Sequence, residues 1–169
     1  RNEMKSQTNH DWYHLNGNWN EWQRLEWKFR IPKGFQPTTK FCHLHQLKAQ
    51  EGNNGAPLIT ISTRCDEDGG NKRVQVIHTG DTRTSGKGVI IDNLPLADFE
   101  DEWIQVETEM HYTHQGTFRI KLTRISDGKV LADQSFADVD LWRKGATSIR
   151  NKFGIYRSLG RKMQSASDR

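Results

Sequence analysis

Several features are scarce in this sequence, and each scarcity removes a class of protein. No apolar run approaches the roughly 20 residues that a membrane-crossing helix requires, so a helical membrane span is excluded. Basic residues outnumber acidic ones only 25 to 21 and are dispersed along strand-like segments, so the concentrated basic block of a nucleic-acid-binding tail is missing. The net charge of +4 leaves a modest pull on anionic polymers. Apolar residues make up only 33% of the chain, and six Trp and seven Phe supply the bulk that aliphatic residues do not. Long amphipathic helical patterns are absent too, apart from one short candidate turn near Ala137 to Lys144. Two cysteines, Cys42 and Cys65, are too few for a disulfide framework. If Phe41 to Lys48 and Leu58 to Cys65 pair as a hairpin, the two sulfurs fall nearly opposite each other, and a disulfide and two buried thiols are equal alternatives.

What remains is short alternation. Trp22 to Ile31 is the cleanest case, with Gln23, Leu25, Trp27, Phe29 and Ile31 facing one way and Arg24, Glu26, Lys28 and Arg30 the other. Thr39 to Ala49, Leu58 to Arg64, Arg73 to His78, Val89 to Ile91, Trp103 to Tyr112, Thr117 to Ile125 and Val130 to Phe136 read similarly, separated by Gly-, Asn- and Asp-rich turns such as Ser126-Asp127-Gly128-Lys129. About nine short strands in 169 residues predict one all-β domain, an antiparallel β-sandwich, over residues 1–160 with a tail over 161–169. The opening Arg1 to Lys5 already alternates like a strand, so further N-terminal strands or a leader are expected in the full protein. Ser6 to Asn20 reads as a long loop rich in Asn, His and Trp, of the kind that carries function, and Gly80 to Gly88 as a polar loop able to cover a groove.

The last strand organises the functional reading. In Lys152 to Leu159, alternation puts Phe153, Ile155 and Leu159 on a core face and Lys152, Gly154, Tyr156 and Ser158 on the other, where the glycine leaves room above the sheet for a polar ligand. In Phe41 to Lys48, Gln46 and Lys48 share one face, while parity puts His43 and His45 on the opposite face beside Phe41 and Leu47. An amide beside an ammonium can bind a carboxylate, although a solvated strand edge has the same spacing. Two histidines among apolar neighbours are more often core or rim residues than metal ligands.

Arg1-Asn2-Glu3, His45-Gln46-Leu47-Lys48 followed by Pro57-Leu58, Trp103-Ile104-Gln105-Val106 ahead of a turn at Gly116, and Lys152-Phe153-Gly154-Ile155-Tyr156-Arg157 occur in the order seen in jelly-roll polysaccharide lyases. The series most resembles the glucuronan lyase and heparin-lyase-like group. Alginate lyases carry a related Arg-x-Glu, Gln-x-His and Lys-Ala-Gly-x-Tyr series, and here Lys48 stands where they have His. The resemblance implies a jelly roll whose concave sheet carries the site, and β-elimination at a uronic acid, with β-1,4-glucuronan the expected substrate. It assigns Gln46 to the substrate carboxylate and Tyr156 to proton transfer, with His10 assisting and Tyr13 and His14 its neighbours in sequence; whether His10 or Tyr156 is the base stays open. Arg1, Glu3, Lys48, Lys152 and Arg64 are the expected substrate-binding residues, with Arg157 on the core side by parity. No organic cofactor is called for, and the fold admits a structural calcium ion, although Asp66-Glu67-Asp68 lacks a recognisable ligand spacing. A secreted monomer acting on an anionic polysaccharide, with neither nucleic acid nor membrane as partner, is the expectation.

Two rivals follow from the same residues. A glycoside hydrolase of this fold would need paired carboxylates, for which Glu107 and Glu109 are the candidates; they belong to a stripe with Gln105 and His111 that reads as an outer face. A lectin-like module would use the same groove without turnover.

Overall fold

The structure, a computed structural model, describes residues 2–6, 15–82 and 84–158. Ten strands make two antiparallel sheets: β1 (Asn2–Lys5), β2 (Trp22–Arg30), β3 (Cys42–Gln50), β4 (Ile59–Arg64), β5 (Arg73–His78), β6 (Gly88–Pro95), β7 (Trp103–His111), β8 (Gly116–Arg124), β9 (Val130–Val139) and β10 (Ser148–Arg157). One sheet has the order β1-β10-β3-β4-β5-β6 and the other β2-β7-β8-β9, which is a β-sandwich of the jelly-roll class. The expected tail over 161–169 lies outside the described residues.

Alternation dictates the layering. Ile104, Val106 and Met110 of β7 and Phe118, Ile120 and Leu122 of β8 are buried against Leu47, Ala49, Ile59, Ile61, Val74 and Val76 of the larger sheet. The intervening residues of the smaller sheet face solvent, where Glu107 pairs with Arg24 at 3.2 Å and Glu109 with Arg119 at 3.6 Å. The stripe is an outer face already occupied by ion pairs, which counts against a hydrolytic carboxylate pair there. β2 is an edge strand, and its inward Leu25, Trp27 and Phe29 are only half-buried.

Two local expectations are corrected, and two open readings are filled in. Ala137 to Lys144 holds no helix: β9 continues to Val139, and a reverse turn comes only at the end of the range, where the Ala146 amide donates to the Arg143 carbonyl at 3.0 Å. β6 continues through Asn93-Leu94-Pro95, which read as a connection; it is an edge strand, where a proline costs no ladder hydrogen bond. Cys42 and Cys65 are both free, buried thiols: Cys42 lies within β3, while Cys65 lies beyond β4 and donates to the carbonyl of Pro37 at 3.3 Å. The Gly80 to Gly88 loop is tied to the end of the sandwich, with the Asp81 amide donating to Asp140 at 2.9 Å and the Lys87 amide to His78 Nδ1 at 3.0 Å. Arg143 completes that end, its guanidinium bonding the carbonyls of Pro57, Thr79 and Gly80.

Candidate functional site

Strand register assembles a polar cluster on the outer face of the larger sheet. One row across the sheet runs Lys5, Lys152, Gln46, Thr60 and Ile77; the next runs Tyr156, His43, Ser62 and Gln75. The rows lie two residues of β4 apart, about 7 Å. Gln46 and Tyr156, 110 positions apart in the sequence, are therefore on one face and in adjacent rows. Gln46, Lys152, Thr60 and Ser62 are buried despite being on the outer face. A solvated strand edge does not look like this, and electrostatic interactions among such groups are strengthened by the loss of water.

The second row departs from the sequence reading. Between His43 and His45 the register of β3 against β4 slips by one residue, a bulge at Leu44. The slip reverses the parity of everything before it. His45 stays in the core, where its ring lies 5.1 Å from Trp27 and its Nε2 meets Asn151 Oδ1 at 3.0 Å. His43 instead joins the Gln46 face, with Nδ1 2.7 Å from Ser62 Oγ and its ring 6.1 Å from that of Tyr156. Phe41 closes the aromatic group, 5.2 Å from His43 and 5.1 Å from Tyr156. The two histidines are thus separated by a strand's thickness and do not share a face.

Gly154 is also needed for a reason other than the expected one. Its φ is +119°, and a Cβ there would run into Asn2 O and Glu3 Cα of β1. The missing side chain makes room for the neighbouring strand rather than for a ligand. That close approach carries Glu3 to Gln46, whose side-chain Nε2 donates to Glu3 Oε1.

The other expected site residues distribute as follows. Lys48 lies on the Gln46 face and its Nζ is 3.4 Å from the Gly55 carbonyl. Lys152 is the register partner of both Gln46 and Lys5. Arg64 ends β4 beside Arg73, one row beyond His43. Arg157 pairs with Cys42 on the inward side, as parity predicts. Arg1, His10, Tyr13 and His14 lie outside the described residues. Missed by the sequence reading were His43 and Ser62, because a bulge in mid-strand has no signature in the Phe41 to Lys48 pattern.

Burial and the nearby Arg64 hold the His43 imidazole down to about 4 against the pull of Glu3, so the ring is neutral at pH 7. Burial lowers the Arg64 guanidinium, with Arg73 adding to the effect. Among the described residues no group of three or more His, Cys, Asp or Glu side chains could hold a metal ion. A cavity of about 660 Å³ opens between the sheets, lined by Met4, Trp27, Phe29, Leu44, Phe153 and Ile155 among others. It is an apolar gap between the β1 and β2 edges, on the far side of the sheet from Gln46, and offers no proton-transfer group.

No protein-family model and no curated protein matches the sequence. Among solved structures, an alginate lyase of Pseudomonas aeruginosa superposes with a TM-score of 0.50 at 17% identity, over 85% of this chain and 60% of that one. The fold is therefore shared with a polysaccharide lyase, and this chain spans less than two thirds of that protein's length.

Proposed function

We propose that this protein is a secreted polysaccharide lyase that cleaves a uronic-acid polymer, β-1,4-glucuronan in first place, by β-elimination. The observation that supports this reading most is the pairing of rows on one buried face: a glutamine amide and lysines in one, a tyrosine and a neutral histidine in the next. The polysaccharide-lyase fold of the structural neighbour is consistent with it.

The chemistry accounts for the residue types. The C5 proton of a uronic acid becomes removable only when the charge that develops on its carboxylate is stabilised. Gln46 has a second amide hydrogen beyond the one given to Glu3 and can donate it to that carboxylate. Lys152 and Lys48 supply positive charge on the same face. Tyr156 is the proton-transfer group and protonates O4 as the C4–O4 bond breaks. In glucuronate H5 and O4 lie on the same side of the ring, so groups on one sheet face can serve both steps. His10 remains an assisting group in this proposal, with Arg1, Glu3 and Arg64 completing the binding surface. No organic cofactor enters the reaction, and any calcium ion would be structural.

Incubation with glucuronan, alginate, heparin and neutral glucans, followed by the ultraviolet absorbance of the unsaturated product, tests the reading. Absorbance growth on a uronate polymer is the expected result. New reducing ends without absorbance would indicate a hydrolase, and binding without either a lectin-like module; each would overturn the proposal.

A further inference from the structure

The face that carries Gln46 and Tyr156 holds one proton-accepting group that the sequence pattern hides. His43 reaches it only because of the bulge at Leu44. Bulges that re-aim a side chain are over-represented beside active sites. This one places an imidazole between Tyr156 on β10 and Ser62 on β4, in a single row across three strands. Ser62 fixes one ring nitrogen, Nδ1, at 2.7 Å, and Phe41 stacks on the ring at an interplanar angle of 18°. Nε2 makes no hydrogen bond to any other described side chain or backbone group. An imidazole held at one nitrogen by a hydroxyl, braced by a ring and half-buried is oriented as a base is oriented in hydrolases, by the bond at its other nitrogen.

We infer that His43 is a catalytic residue of this site, its unprotonated Nε2 taking the C5 proton of the uronate while Tyr156 protonates the leaving O4. The inference rests on the lyase reading above. The electron pair of the C5–H bond becomes the C4=C5 double bond, and the C4–O4 pair leaves on O4 with the phenolic proton. The imidazolium and phenolate so formed are neighbours in one row, and transfer of the proton from His43 to Tyr156 restores both. The charged groups around His43 favour the required starting state: Arg64 and Lys48 oppose a second proton on the ring, and Glu3 alone among them favours it. With both groups on one face, a uronate whose H5 and O4 are on the same side suits the pair better than one whose H5 and O4 are opposed.

His43→Asn tests this. The asparagine amide can replace Nδ1 toward Ser62 but offers nothing at the Nε2 position. Turnover of glucuronan should fall at least 100-fold, with KM changed little, and the acidic limb of the kcat/KM profile should disappear. In His43→Gly, free imidazole should restore part of the lost rate. A purely structural histidine would lower the rate equally at every pH and would not be rescued. Nitrogen-15 spectra of the histidine-labelled wild-type chain read the tautomer without any variant: a proton on Nδ1 and a lone pair on Nε2 are expected, and an Nε2–H tautomer at neutral pH would overturn the inference. A wild-type chain that eliminates no uronate polymer would sink the lyase reading and this inference together, whereas an active wild type with an equally active His43→Asn variant would sink this inference alone.

Discussion

Glu3 of β1 accepts a hydrogen bond from the side-chain amide of Gln46 on β3, across the full width of β10 that separates the two strands. The bond fixes which way the Gln46 amide points. With one hydrogen committed to Glu3, the other is aimed by the geometry of the amide rather than left to rotate. Positioning of the proposed carboxylate-binding group thus depends on a four-residue edge strand, and that strand on Gly154.

Replacing Glu3 by Gln keeps the volume but removes the charge that strengthens the bond. Hydrogen bonds to charged groups contribute roughly 1.5–3 kcal/mol against about 1 for neutral ones. A loss of about tenfold in kcat, with a smaller effect on KM, is expected from steady-state kinetics on glucuronan. Unchanged kcat would mean that the Gln46 amide is oriented by something else.

Gly154→Ala should loosen β1. The new Cβ meets backbone atoms of Asn2 and Glu3, and φ of +119° is strained for any side chain. Equilibrium denaturation with urea should show a loss of about 2 kcal/mol, accompanied by reduced turnover because Glu3 is displaced with the strand. Wild-type stability in this variant would show that β1 is not held where the glycine allows it.

Acid should destabilise the fold between about pH 6.5 and pH 4. Burial holds His45 down to about 4, opposed by its bond to Asn151, and burial with Arg64 does the same to His43. Below 6.5 the unfolded chain takes up protons that the folded one refuses, so the stability these neutral rings confer is present above pH 6.5 and is lost as pH falls toward 4. Buried His78, also lowered mainly by burial, adds in the same direction. Urea midpoints measured across this range should fall with pH, and His45→Leu should flatten the slope. A slope unchanged by that substitution would contradict the assignment.

Gln46→Ala removes the amide that is proposed to meet the developing carboxylate charge. If it acts as an oxyanion donor does, the barrier rises by about 2.7–4 kcal/mol, read as a fall in kcat of roughly 100- to 1000-fold. An effect confined to KM would make Gln46 a binding residue only.

β2, β5, β7 and β8 were legible in the sequence and lie within a residue or two of their predicted limits; β2, β7 and β8 alternate between a wetter and a drier face, whereas β5 is buried on both faces and is delimited by the turn residues that flank it. The Gln46 and Lys48 face followed from the same parity. His43 did not, since a single extra residue at Leu44 inverts the parity of one end of β3 without altering composition, and the signal lies in the register against β4. The role of Gly154 was likewise hidden, because what it accommodates is backbone from a strand 150 residues away. Pro95 ends β6 for a topological reason: edge position cannot be read from a segment alone.

The central claim is that an amide and a phenol from distant strands act on one uronate ring, and Tyr156→Phe tests it most directly. The phenylalanine ring keeps the packing against Phe41 and loses only the hydroxyl. Unsaturated-product formation from glucuronan should vanish while the variant still binds the polymer. Substantial product from the folded variant would contradict the account.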